Sequence, residues 1–100
     1  MLKEVTVVEA FEMIEGEPNL QLLDVRSKEE FEKGSLPGFH SVPLAELSQT
    51  MPRLDGKKKT LLLCSDGSLS HQAQSMLEAC GFEPAIIRGG LRDWVSIYPR

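Results

Sequence analysis

Apolar and polar residues along this chain alternate at a period of about two in some segments and recur every three or four residues in others, and the switches fall on turn residues. Leu2 to Val5 reads as a short first strand. Thr6 with Glu9 forms a capping box, in which hydroxyl and carboxylate each accept the other's backbone N–H, and Val7, Val8, Phe11 and Ile14 give the helical spacing up to Gly16. After the Pro18-Asn19 turn, Leu20 to Val25 predicts a second strand. Ser27 with Glu30 predicts another capping box, over a short helix that packs Phe31 and stops at Gly34. Pro37-Gly38 breaks the chain before Phe39-His40-Ser41-Val42, read as an edge strand, and Pro43 suits the start of a helix through Leu44 and Leu47.

Asp55-Gly56 turns into a central strand, Thr60-Leu61-Leu62-Leu63, that ends at Cys64. Ser70 to Cys80 predicts a helix with Ala73, Met76, Leu77 and Cys80 inward and Gly81 as its C-terminal cap. Pro84 to Ile87 is the last strand. Gly89-Gly90 reads as a flexible joint before a final helix carrying Leu91, Trp94, Val95 and Tyr98. Strands alternating with capped helices predict an α/β fold, repeated βα units around a mainly parallel sheet. With 100 residues, no internal repeat and no low-complexity linker, the expectation is a single domain over 1–100.

Charge removes several classes of function. Fifteen acidic against 11 basic residues give a net charge of −4, and the basic cluster Lys57-Lys58-Lys59 follows a turn, so nucleic acid is not expected as a partner. Nothing approaches the roughly 20 apolar residues of a membrane span, and acids interrupt the first 16 residues where a signal core would lie, which points to a cytoplasmic protein. Two cysteines are too few for a disulfide framework. A helix of about ten residues would separate Cys64 from Cys80 by roughly 15 Å, beyond the limit near 7 Å for a disulfide, so Cys80 reads as a small buried hydrophobe. His40 and His71 lack metal-ligand spacing, and His71 reads as a surface residue; no metal is expected. Trp94, Phe31, Phe39 and Phe82 read as core or cleft wall.

Cys64 carries the candidate chemistry. It lies at the C-terminal mouth of a buried strand, where open α/β sheets bind ligands, and the following helix points unpaired N–H groups and a positive dipole end at it. A thiol there is expected to ionise readily and to attack as a nucleophile. Ser65 to Ser70 would curl around the sulfur with N–H groups turned inward, and Gly67 supplies the positive φ that such a nest requires.

The segment Asp24-Val25-Arg26-Ser27-Lys28-Glu29-Glu30-Phe31-Glu32-Lys33-Gly34-Ser35-Leu36-Pro37-Gly38, followed by Val42-Pro43-Leu44, resembles the N-terminal signature of the rhodanese-like family. Gly89-Gly90-Leu91-Arg92-Asp93-Trp94 is similar to its glycine pair and tryptophan helix, and Cys64 occupies the position of its catalytic cysteine. The resemblance runs from about Val5 to Trp94. It implies a three-layer α/β/α domain with a twisted five-stranded parallel sheet. It also implies a sulfurtransferase in which the cysteine takes a sulfane sulfur from a small anionic donor such as thiosulfate. The persulfide then hands that sulfur to a thiophilic acceptor, namely cyanide, a thiol or a partner protein, with no cofactor. The expected state is a monomer.

Within that resemblance Ser65, Asp66, Gly67, Ser68, Leu69 and Ser70 are the substrate-binding candidates. Many family members carry an arginine five residues after the cysteine, where this chain has Leu69. Asp66 adds a negative charge that, at about 8 Å and an effective dielectric of about 40, opposes a thiolate by roughly 1 kcal/mol. Arg88, at the end of the last strand, is a candidate to compensate for the missing arginine. Asp24 and Arg26 are expected to form a buried ion pair that orders the loops. Three other readings stand beside the sulfurtransferase. A noncatalytic interaction or regulatory module would keep the fold with a drifted loop. A phosphatase would need a loop one residue longer with arginine where Ser70 stands. A thiol redox switch would need a resolving partner closer than Cys80.

Overall fold

The central strand alternates its side chains between two separate cores: Leu61 and Leu63 enter one, Leu62 and Cys64 the other. This is the period of two expected of a strand covered on both faces. The computed structural model describes residues 3–99. Its strands are β1 (Glu4–Val5), β2 (Gln21–Asp24), β3 (His40–Ser41), β4 (Lys59–Leu63) and β5 (Glu83–Ile87), and its helices are α1 (Val7–Gly16), α2 (Lys28–Lys33), α3 (Leu47–Thr50), α4 (Ser70–Ala79) and α5 (Gly90–Ile97). The five strands form one sheet in the order β1-β5-β4-β2-β3, and every pairing is parallel. The register sets Leu62 beside Leu23 on one side and Ile86 on the other.

Val7 and Ala10 of α1 and Trp94 of α5 cover one face, while Leu47 of α3 with Ala73 and Leu77 of α4 cover the other. The α/β architecture with helices on both faces is therefore as expected, with β3 at an edge. Phe11 of α1 stacks on Tyr98 at 4.7 Å and lies 6.2 Å from Trp94, which joins α1 to α5. Gln74 of α4 donates from Nε2 to the carbonyls of Lys3 and Pro84, tying α4 to the β1 side of β5.

Local signals explain the ends. Thr6 and Glu9 form the complete capping box. Gly81, at φ +84, closes α4 in a Schellman arrangement, its N–H donating to Glu78 and that of Phe82 to Leu77. Several expectations need correction. Leu2 lies outside the described residues. Pro43 opens a 3-10 turn over Leu44–Glu46 rather than a helix running straight to Leu47. Ser27 caps α2, but the Glu30 carboxylate does not return to the Ser27 N–H; it is turned to two hydroxyls. Cys80 is exposed at the C-cap of α4 instead of buried, because the capping turn carries it off the helix's inner face. Among the described residues, no helix is long and apolar enough to cross a membrane.

Candidate functional site

A parallel sheet places the carboxyl ends of all its strands along one edge, and there the chain segments after β2, β4 and β5 converge. β4 delivers Cys64, whose side chain is only 1% exposed. The next residues turn back on themselves, and the Gly67 N–H donates to Cys64 Sγ at 2.9 Å. Gly67 has φ +95, the conformation expected from sequence, and a Cβ there would press on the Gly89 amide at 3.2 Å. The sulfur is thus held by a fixed backbone donor from its own loop.

The rest of the loop departs from a nest turned wholly inward. The Ser68 N–H donates to Asp66 Oδ1 at 3.0 Å and the Ser68 hydroxyl donates to the same oxygen at 2.7 Å. Chiefly through the Ser68 hydroxyl, then the Ser68 amide, the Asp66 carboxyl is held below the usual carboxylate range. The loop thus presents its own anion to one of its amides. Leu69 is 38% exposed at its far end, and Ser70 opens α4 with a hydroxyl that is fully buried and has no hydrogen-bond partner among the described residues.

Two neighbours fix this loop. From α5, the Leu91 N–H donates to the Cys64 carbonyl at 2.8 Å and the Arg92 N–H to the Ser65 carbonyl at 2.9 Å. Gly90 makes that approach possible, since a Cβ there would run into the Cys64 carbonyl oxygen, while a Cβ on Gly89 would run into the Asp93 side chain. The glycine pair is a close-contact seam and not the flexible joint its sequence suggests. From α2, Glu30 Oε2 accepts from the Ser65 hydroxyl at 3.1 Å, while Glu30 Oε1 accepts from Ser27 at 3.3 Å. Sequence reading missed Glu30, because 35 residues separate it from Ser65 and no motif links them.

Beside the loop, Asp24 is fully buried and Arg26 is 5% exposed. The guanidinium donates to both Asp24 oxygens, at 2.8 Å from Nη2 to Oδ2, and to the Gly34 carbonyl at 2.7 Å. Ser35 adds a hydroxyl to Asp24 Oδ2 at 2.6 Å. Asp24 thereby holds Arg26 more firmly protonated than a free arginine, against the opposing effect of burial, with Glu30 as a further negative neighbour. The buried pair is as expected from sequence.

Arg88 stands apart from these contacts. It lies at the end of β5, which does adjoin β4, but its guanidinium donates to Glu4 at 3.2 Å on the outer side, and both side chains are well exposed. His71, on the first turn of α4, is exposed. A cavity of about 520 Å³ lined by Glu17, Asn19, Leu20 and Lys57 to Lys59 opens at the opposite edge, where β2 and β4 begin, and so takes no part in this site. Among the described residues no cluster of histidine, cysteine and carboxylate side chains is arranged to hold a metal.

A five-stranded parallel α/β domain with a cysteine at the end of its central strand, inside a loop clamped by a glycine pair, defines a cysteine-loop class of domain. The chain belongs to the rhodanese-like domain family, whose sequence model matches residues 6–97. It is 33% identical over 91 residues to the "Putative sulfur carrier protein YrkF" of Bacillus subtilis (strain 168), covering 89% of this chain and 49% of that protein. It is 29% identical over 93 residues to the "Putative sulfurtransferase YtwF" of the same organism, covering 93% of this chain and 90% of that one. The chain thus spans about half the length of YrkF and most of YtwF. A crystal structure of a rhodanese-related protein from Thermoplasma volcanium superposes with a TM-score of 0.86 at 25% identity, covering 95% of this chain and 92% of that one.

Proposed function

We propose that this protein is a sulfurtransferase that carries sulfane sulfur as a persulfide on Cys64. The observation that carries this reading is the Gly67 N–H set 2.9 Å from Cys64 Sγ at the end of the central strand. The sulfur sits where a nucleophile and then a persulfide anion need a fixed donor that costs no reorganisation during reaction. Cys64 as a thiolate attacks the outer sulfur of the donor, the donor's own bond to that sulfur breaks, and the remainder leaves as an anion. The bound sulfur is then taken by cyanide, a thiol or a sulfur-accepting partner protein, and Cys64 returns as thiolate. Gly67 holds the sulfur, and Ser65, Asp66, Ser68, Leu69 and Ser70 form the rest of the loop that a donor would meet. Asp24 and Arg26 position the loops.

The names of YrkF and YtwF point the same way, toward sulfur carriage and transfer. Two free thiols and no membrane-length helix among the described residues suit a reducing compartment such as the cytoplasm. Two observations favour a noncatalytic interaction module instead: Cys64 is 1% exposed, and Leu69 stands where the resemblance to the rhodanese-like family leads one to expect arginine. Intact-protein mass spectrometry separates the two. After exposure to several sulfane donors the sulfurtransferase gains one sulfur, which cyanide removes and Cys64→Ser never acquires; absence of any adduct would establish the binding module.

A further inference from the structure

The groups that the contacts place on the Cys64 loop and its immediate supports carry an excess of negative charge. Asp66 is on the loop, Glu30 is bonded to Ser65, and Asp24 and Asp93 lie behind them, against two guanidinium groups, Arg26 and Arg92. Arg26 is buried and spent on Asp24 and the Gly34 carbonyl, whereas Arg92 is exposed, donates from Nε to Asp93 at 3.2 Å and has Asp66 as a second negative neighbour. Arg88 is held by Glu4. The Ser68 amide, which an incoming anion would use, already serves Asp66. A dianion entering here meets an excess of like charge, and the exposed cation beside the loop, Arg92, already faces two carboxylates.

Shape argues in the same direction. In thiosulfate the transferable sulfur is attached directly to a tetrahedral sulfonate, which must descend with it toward a side chain only 1% exposed. In a persulfide the corresponding neighbour is a single divalent sulfur on an alkyl stem, slim enough to follow, and Leu69 offers that stem an exposed apolar surface.

We propose, building on the sulfurtransferase reading, that the donor used at Cys64 is a persulfide, R–S–SH, whose carrier is uncharged or positively charged near its sulfur, and that Asp66, Glu30 and Leu69 select it against the thiosulfate dianion. The Cys64 thiolate forms a bond to the outer sulfur, the donor's S–S bond breaks, and the electron pair leaves on R–S⁻. The donor ends as a thiol and Cys64 carries the persulfide, with no further oxidant or reductant.

Three probes isolate the choice: cysteamine persulfide, whose ammonium is positive, 3-mercaptopropionate persulfide, whose carboxylate is negative, and thiosulfate. The rate of sulfur addition to Cys64, read by intact mass, is expected to fall in that order, with cysteamine persulfide ahead of thiosulfate by at least about tenfold at low salt and by less as salt rises. Asp66→Asn and Leu69→Arg should each raise the thiosulfate rate relative to the cysteamine persulfide rate by about three- to tenfold. Wild-type protein loading from thiosulfate as fast as from cysteamine persulfide, or variants that leave the ratio unmoved, overturns the donor assignment while the sulfurtransferase stands. If no probe loads Cys64, the sulfurtransferase reading falls and takes the donor with it.

Discussion

Gly90 lies against the Cys64 carbonyl oxygen so closely that no side chain fits between them. The contact is what lets α5 pin the cysteine loop, with the Leu91 and Arg92 amides donating to the carbonyls of Cys64 and Ser65. Those two N–H groups belong to the first turn of α5 and have no partner within the helix, so the loop satisfies them and is satisfied in return.

Gly90→Ala tests the seam. The substitution adds a Cβ at φ +60 in the path of the Cys64 carbonyl. Strain and overpacking together are expected to cost at least about 2 kcal/mol. Chemical denaturation should show that loss, and sulfur loading of Cys64 in the still-folded fraction should fall because the loop has shifted. A variant as stable and as active as wild type would show that the seam does not position the loop.

Asp24 and Arg26 set the second test. Asp24→Asn keeps the shape but leaves a guanidinium that is 5% exposed without its counter-charge. Removing one partner of a buried pair costs about 3–5 kcal/mol. A urea midpoint lowered in proportion, with unchanged slope, is the expected result; a loss under about 1 kcal/mol would mean that the Gly34 carbonyl and solvent suffice for Arg26.

The two cysteines should separate cleanly by reagent access. Cys80 is exposed and Cys64 is 1% exposed, so a bulky aromatic disulfide reagent should label one thiol per native chain rapidly, and Cys80→Ser should abolish that phase. Cys64 should follow at least about tenfold more slowly, since it waits on local opening of its loop, and the difference should vanish in denaturant. Equal native rates would show the loop to be open in solution.

The order of elements is legible in this chain because each strand carries its own signal. Leu61 to Leu63 form a short apolar run after Asp55-Gly56, and Thr6 with Glu9 announces α1 through contacts three residues apart. Cys64, Gly67 and the Asp24–Arg26 pair are legible for the same reason, being neighbours along the chain. The interactions that complete the site are not local. Glu30 meets Ser65 across 35 residues, and its sequence neighbourhood explains it equally well as half of a capping box. Gly89-Gly90 announces unusual backbone but not whether the reason is mobility or contact; only the packing of α5 on the Cys64 carbonyl decides. Cys80 is misread because the helical period is continued one residue past the end of α4, whose last buried position is Leu77.

Arg88 gives a sharper test of what holds the donor. With its guanidinium on Glu4, Arg88→Ala should change KM for thiosulfate by less than about twofold. A rise of about tenfold would mean that Arg88 leaves Glu4 to meet the donor during turnover.

The loop's own charge should persist at acidic pH. The Ser68 hydroxyl, and after it the Ser68 amide, lower the Asp66 pKa. For a carboxylate whose folded value is depressed, the stabilisation is present above the unfolded value near about 4 and is lost as pH falls through the lower folded value. Between pH 7 and pH 5 Asp66 therefore stays ionised, and acidification over that range brings no relief from its repulsion of an anionic donor. Following the Asp66 carboxyl carbon by NMR should place its midpoint below that of an unstructured aspartate, and Ser68→Ala should move it upward, since that change deletes the larger of the two Ser68 hydrogen bonds. An unmoved midpoint in Ser68→Ala would mean that the hydroxyl does not hold the carboxylate in solution, and the loop would then be free to turn its Ser68 amide toward a donor.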